Sequence, residues 1–487
     1  MSATTVVVEE LAERRTKYHE ADVVVVGAGV FGCAIAHALA EQGRSVILLE
    51  RWLKEPNRIV GELMQPGGVN SLRKLGLGHC IEDIDSIPCH GFNVFFYGED
   101  VRMPYPEIRG LEKSGVEDEK RPQGRSFHHG RFITQLRRAC LKNPNISVFE
   151  TEAVNTIKGD HNQEILGVET RTLNPATGEK EADCFFGQLT IVADGYASRF
   201  RKQYITQTPV VRSKFYALEL VDCQLPSPGY GHVIIGASSP VLLYQIGTHE
   251  TRVLVDVPEK LPEASVANGG VRGYMANVVL PALPESVRPS FKAALEKDGK
   301  IPQSMPNSWL PPTKQSVPGL VILGDAMNMR HPLTGGGMTV ALNDVVILQD
   351  LLSPQSVPDL GDAAAVGRAM HTFHWRRKQL TAIINVLAMA LYSLFAAQSA
   401  ELAKLQRGCF AYFKNGVTRD PMGLLGGLIP DPLVLAYHFF SVAFVAIWLD
   451  WKATGLWKVP LLLWNAFWIL WTASRVFLPV MYREAFV

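Results

Sequence analysis

The stretch from Asp22 to Glu50 constrains this chain more than any other. Val23–Val26 is wholly apolar, as expected of a strand buried on both faces. Gly27, Ala28, Gly29, Val30, Phe31 and Gly32 then satisfy G-x-G-x-x-G. Val30 to Gln42 reads as a helix kept slim by Ala34, Ala36, Ala38 and Ala40, and Ser45–Leu49 is a second apolar strand with Glu50 at its end. Such a unit suits a dinucleotide: the first glycine permits a tight turn, the second lets the backbone approach a pyrophosphate, and the third lets helix and strand pack closely. The helix N-terminus offers unpaired N–H groups and partial positive charge to phosphates. Glu50 is placed to accept hydrogen bonds from ribose hydroxyls. A glycine triplet alone is a weak signal; strand, glycines, helix, strand and acid in register are a strong one. A purely structural βαβ unit is the competing reading.

At 487 residues the chain has room for two or three domains. A formal net charge of +1 gives no general attraction to nucleic acid. The seven cysteines are scattered and form no C-x-x-C pair, which argues against a zinc site or disulfide framework and for a reducing compartment. Residues 1–20 carry no apolar core of a secretory signal and read as a short flexible lead.

Beyond Glu50, Arg51 and Arg58 precede a Pro66-Gly67-Gly68 break and a helix over 69–75. Gly91–Met103 reads as a strand closed by Pro104-Tyr105-Pro106, 110–125 as an exposed loop, and 132–141 as a helix opened by His128-His129-Gly130-Arg131. Strands follow at 146–150, 153–157 and 165–170, and an apolar strand from Leu189 runs into Asp194-Gly195. From 211 to 257 the pattern alternates, as in an antiparallel sheet with one covered face, and a helix follows near 285–297. At 320–323 the buried-strand pattern returns and ends at Gly324-Asp325; His331-Pro332 and Gly335-Gly336-Gly337-Met338 then open a helix over 338–352.

Glycine–acid sites thus recur where apolar strands end, at Glu50, Asp194-Gly195 and Gly324-Asp325. In open α/β sheets, ligands gather at the carboxyl ends of the strands. Each site alone is readable as a turn. Together they fit one long nucleotide, with adenosine at Glu50 and a second, redox-active ring at 331–338.

The stretches GAGVFG, RIVGELMQPGG, VADG and LGDAMNMRHPLTGGGM resemble the FAD-dependent monooxygenases of the aromatic-hydroxylase type. Within them, GELMQPGG, MPYP, SFHHGRF, RHPLTGGGM and MALYSLFA are similar to the squalene monooxygenase (squalene epoxidase) family, from about residue 20 onward. The resemblance implies FAD as cofactor, with Gly27, Gly29 and Gly32 at the pyrophosphate and Glu50 at the ribose. It sets Arg51, Arg58 and Arg131 near the dinucleotide, Asp325 at the phosphate–ribityl region, and Asp194 and Gly195 beside the flavin. Gly335, Gly336, Gly337 and Met338 would present N–H groups to the ring, where negative charge develops. It implies epoxidation of squalene by O2 to (S)-2,3-epoxysqualene through a flavin C4a-hydroperoxide, in sterol synthesis of the ergosterol type. The pocket would be apolar rather than built on an acid–base pair. Tyr105 and Gln65 match family positions at that pocket and are expected to be hydrogen-bonded; Tyr105 alone is equally readable as a rim residue. His331 and His128-His129 lack ligand partners at metal spacing, so no metal is expected. No second nucleotide fingerprint is present, in keeping with electrons received from NADPH–cytochrome P450 reductase.

From residue 380 the composition turns apolar. Thr381–Gln398 carries Leu391 and Phe395 on one helical face, either as core or as substrate-pocket lining. Leu433–Leu449 has no formal charge, and Leu456–Val480 is rich in Trp and Leu. Both are marginal against the about 20 apolar residues that a spanning helix needs. Six of the nine tryptophans fall in 448–471, as at a lipid–water boundary. The expectation is a helical pair inserted in one leaflet or shallowly in the bilayer, holding the catalytic part on the cytosolic face of the endoplasmic reticulum.

The expected fold class is mixed α/β. A Rossmann-like FAD-binding domain occupies 21–90, 126–205 and 301–365, interleaved with substrate-domain strands at 91–125 and an antiparallel sheet at 206–300. A helical segment over the active site follows at 366–430, and membrane-associated helices at 431–487. Two other readings share parts of this pattern: an FAD-dependent hydroxylase of aromatic or quinone-precursor molecules, and a GDI-like module that binds prenylated partners without redox work. The apolar tail and the MPYP and ALYSLFA stretches weigh against the first. The intact glycine triplet, Glu50 and the 325/335–337 set weigh against the second.

Overall fold

The computed structural model describes residues 19–486 apart from 108–120, 161–162, 175, 237, 298, 300, 398 and 456–457. The expected N-terminal lead and most of the expected 110–125 loop lie outside the described residues.

The first sheet is set by the apolar runs. Ile146–Glu150, Val46–Glu50, Glu20–Val26, Lys180–Val192 and Leu320–Ile322 lie side by side, all parallel. Val23, Val24 and Val25 are fully buried, which is why this strand shows no alternation. The Val30–Ala40 helix packs on it, and its small side chains keep the two close. Lys180–Val192 is longer than its apolar core, and its first half pairs antiparallel with Ile165–Leu173, which in turn pairs antiparallel with Glu152–Lys158.

Among the described residues the second sheet has seven strands, in the order Gln303–Trp309, Val210–Val221, Glu250–Pro258, Val241–Gln245, Gly231–Ile235, Gly91–Phe96, Glu99–Pro104. Three expectations change here. The single strand expected over 91–103 is a hairpin turning at Tyr97-Gly98, both with positive φ. Gln303–Trp309 pairs with Val210–Val221, so this segment belongs to the second sheet and not to the nucleotide domain. The sheet is also covered on both faces. Phe215, Leu242, Tyr244 and Leu254 pack on one side, while Val241, Leu243, Val253 and Val255 pack on the other with Tyr274 and Phe291. The second cover is helical structure over 270–296, of which sequence pattern exposed only the last part.

The C-terminal third is helical. Ala363–Ala396 opens on an Asp362 cap that accepts from the N–H groups of Ala364 and Ala365, and it runs buried past both sheets. Ala400–Lys414 and Arg419–Leu425 fold against it. Pro432–Thr454 and Val459–Phe486 follow as a pair. Among the described residues, three helices are long and apolar enough to cross a membrane. Of these Ala363–Ala396 is mostly buried in protein, whereas the last two expose Leu433, Phe444, Trp448, Leu463, Trp464 and Phe467.

Candidate functional site

The parallel strands all end at one edge, and there a cavity opens between the two sheets. Gly29, Val30 and Phe31 from the first turn line it, as do Gly195, Gly324 and Asp325 at two other strand ends. Pro332, Gly335, Gly337 and Met338 line it from the far side. The glycine turns at 29 and 335–337, some three hundred positions apart, therefore face one cavity. Its remaining wall is largely apolar, with Phe92, Leu242, Tyr244, Leu254, Met305 and Leu333.

The backbone leaves room for a large ligand. A Cβ added at Gly29, Gly195 or Gly337 would meet nothing within 4 Å. Gly29 and Gly336 are the N-caps of the Val30–Ala40 and Gly337–Leu351 helices, and neither helix start is capped by a side chain. Two helix N-termini with free N–H groups thus point at one space, a favourable setting for phosphate and for a ring that gains negative charge. Arg58 adds a guanidinium whose Nε is buried without a hydrogen-bond partner, while its Nη2 lies 3.9 Å from Asp325 Oδ2. These residues fit FAD.

Other expected site residues act one step back. Gly27 has φ +101°, and a Cβ there would sit 2.6 Å from Ala193 O; one on Gly32 would sit 1.8 Å from Gly27 O. Those two glycines let the turn fold and leave the contact surface to Gly29. Glu50 Oε2 accepts from Ala28 N–H at 2.9 Å and lies 3.4 Å from Arg137 Nη2. Asp194 does not line the cavity: Oδ2 accepts from Arg199 N–H, Oδ1 is buried without a partner, and burial raises its pKa. A Cβ on Gly336 would strike Ile384 at 2.4 Å, so this glycine is required by helix packing.

Tyr105 and Gln65 are fully buried and line no part of the cavity. Tyr105 Oη donates to Gln65 Oε1 at 2.5 Å, and Gln65 Nε2 donates to Thr334 O at 2.7 Å. The pair thus fixes the carbonyl just before Gly335 from behind. The other expected residues are placed as follows. Arg131 lies 3.6 Å from Asp85 and off the cavity, because it sits on the helix face opposite Phe132, Leu136 and Cys140. Arg51 is exposed and stacks on Trp52 at 4.0 Å. Leu391 faces a separate apolar cavity between the C-terminal helices, and Phe395 is packed in the core with Tyr105 and Tyr392.

The sequence reading missed several groups. Arg137, buried on its helix, braces the first turn: its Nε donates to Ala28 O at 3.0 Å. His129 lines the cavity at 2.8 Å from Gly61 O; burial, reinforced by Arg58, lowers its pKa to about 3, so it is neutral. Glu62 also lines the cavity and is gripped by Arg252 at 2.7 and 2.9 Å; burial raises its pKa and Arg252 opposes that. An apolar-walled pocket therefore has one buried ion pair at its margin. Arg330, next to His331 in sequence, completes the lining.

The fold and cavity define a flavin-dependent monooxygenase. A family model for an FAD-binding domain matches residues 20–260. Among solved structures, a probable FAD-dependent monooxygenase of Pseudomonas aeruginosa shares the fold at TM-score 0.60, with 20% identity over 81% of this chain and 100% of that one. A flavin-dependent brominase does so at TM-score 0.61, with 15% identity over 86% and 98%.

The chain belongs to the squalene epoxidase family, whose model matches residues 186–464. It is 61% identical to a squalene epoxidase of Gibberella zeae over 100% of both chains. It is 40% identical to the enzyme of Saccharomyces cerevisiae over 95% of this chain and 96% of that one. A squalene monooxygenase of Mus musculus is also 40% identical, over 95% and 78%.

Proposed function

We propose that this protein inserts one atom of O2 into a terminal double bond of squalene, giving 2,3-epoxysqualene and water at the expense of NADPH, in sterol synthesis of the ergosterol type. The observation that carries the reading is the single cavity shared by two uncapped helix N-termini and an apolar wall. When bound, FAD supplies the reduction of dioxygen and the transfer of one oxygen atom to the alkene. The chain supplies the rest. The turns at Gly29 and at Gly335–Gly337 hold the two ends of the cofactor, with Arg58 and Asp325 between them. Tyr105 and Gln65 fix the loop at Thr334 from behind. Phe92, Leu242, Tyr244, Leu254 and Leu333 hold the hydrocarbon close and exclude water, which is what oxygen transfer to an unactivated alkene requires. His129, kept neutral by burial, adds no charge against the cofactor.

In this reading Pro432–Thr454 and Val459–Phe486 lie in the endoplasmic reticulum membrane, with the catalytic part on the cytosolic side. Substrate and product dissolve only in lipid, so such anchoring places the cavity at its supply. NADPH–cytochrome P450 reductase is the electron donor, and a membrane-bound donor meets an acceptor held on the same surface. The test is incubation of the purified chain with squalene, NADPH and the reductase, followed by product analysis. Epoxysqualene that forms only with all three supports the reading. Turnover of an aromatic substrate with none of squalene refutes it, as does a purified protein without flavin absorbance.

A further inference from the structure

A chain of buried polar side chains leaves the cavity and ends on the last helix. Arg330 lines the cavity, and its Nη1 reaches Gly337 O at 3.4 Å. Its Nη2 donates to Asn328 O at 3.2 Å and Asn328 Oδ1 at 2.7 Å. Its Nε donates to Asn385 Oδ1 at 2.7 Å. Asn385, on Ala363–Ala396, turns its amide nitrogen to Glu484 Oε1 at 2.9 Å. Asn328 Oδ1 is shared with Arg377, which grips Asp344 at 2.7 Å. Asn385 is 0% exposed and Glu484 1%, so water has no access to the link.

Glu484 is out of character with its surroundings. Val459–Phe486 presents Leu463, Trp464, Phe467 and Tyr482 outward, yet this acid points inward to an amide. An ionisable side chain on a helix of this kind has a partner and a purpose. The orientation of Asn385 gives the purpose. An amide has one acceptor end and one donor end. As a carboxylate the acid accepts, so it takes the NH2, while Arg330, which only donates, takes the oxygen; the NH2 also reaches Asn328 Oδ1 at 3.3 Å. Without Glu484 that long bond alone holds the NH2 end, and the amide is held less firmly against the guanidinium.

We propose that Glu484 is a positioning residue for Arg330, so that the last helix completes the flavin side of the cavity as well as attaching the protein to lipid. The inference rests on the functional reading above. Buried polar networks of this kind lose most when one member is removed and its partners are left unpaired.

The test uses the full chain in phospholipid nanodiscs with FAD, squalene, NADPH and the reductase. Glu484→Ala lowers kcat and weakens FAD binding, each about tenfold, while the KM for squalene stays within about twofold. Glu484→Gln, which keeps the acceptor oxygen, restores most of both. Tyr482→Ala, exposed on the adjoining turn, behaves as wild type. Membrane partitioning is the same in all three. Wild-type kcat and FAD affinity in Glu484→Ala overturn the proposal, as does Glu484→Gln being as impaired as Glu484→Ala. Should Glu484→Ala fail to accumulate, Glu484→Asp carries the test: reduced kcat at unchanged KM and melting temperature supports it, and wild-type kcat overturns it. A wild-type chain that holds no flavin overturns the functional reading, and this inference with it.

Discussion

Removing the Tyr105 hydroxyl tests whether the loop at Thr334 is held from behind. Tyr105 is 1% exposed and Gln65 0%, so no water replaces the lost donor in Tyr105→Phe. The change deletes one hydrogen bond and leaves Gln65 Oε1 unpaired in a dry site, which costs about 1–3 kcal/mol. The amide is then anchored only by its bond to Thr334 O, the carbonyl that precedes Gly335. If the whole cost falls on keeping residues 334–337 in their ligand-ready shape, FAD affinity drops about five- to hundredfold at 1.4 kcal/mol per tenfold. Release of FAD fluorescence on dilution measures the affinity, and turnover at saturating FAD measures what remains of kcat. Gln65→Leu and the double variant close a cycle. A serial link from Tyr105 through Gln65 to Thr334 requires the double variant to lose no more than Gln65→Leu alone. Affinity within twofold of wild type in Tyr105→Phe, or fully additive losses, would refute the reasoning.

Three other outcomes follow from the same geometry. Glu50→Ala removes the acceptor of Ala28 N–H and the partner of Arg137, so FAD affinity falls about tenfold in fluorescence titration, with little change in melting temperature of the apoprotein. Acidification destabilises the fold between pH 6.5 and about 3: His129 and His232 are pushed by burial to about 3 and about 4, so the unfolded chain binds protons first, and stability present above pH 6.5 is lost as pH falls. Thermal melts across that range show the slope, and His129→Gln flattens it. Deleting 433–487 makes the protein markedly more soluble and moves it off membranes in flotation; a full-length chain that stays in the cytosol refutes the anchor.

The nucleotide half was legible because its signals are local. Four short apolar strands, each followed by glycine or acid, announce a parallel sheet whose strand ends share an edge. The C-terminal helices were legible for the same reason, through composition alone. The second sheet was only partly legible. Its strands alternate, but both faces are apolar, and the helices that cover the second face carry glycine and proline that hide their period. Gln303–Trp309, with Gln303, Ser304, Asn307 and Ser308, has too polar a composition to announce a strand, and only pairing with Val210–Val221 makes it one.

The sequence by itself determined the fold class, the cofactor and the family, since these depend on backbone turns and apolar periods that neighbouring residues encode. Which arginine serves which acid was decided only in three dimensions. Arg131 and Arg137 differ by six positions on one helix, and the packing of Phe132 and Leu136 sends the first to Asp85 and the second to Glu50. The bond between Tyr105 and Gln65, and the line from Arg330 through Asn385 to Glu484, join segments 40 to 99 residues apart. Nothing local favours such pairings. They exist because burial removes water as a competitor, and a polar group so enclosed must take the partner that the fold brings to it.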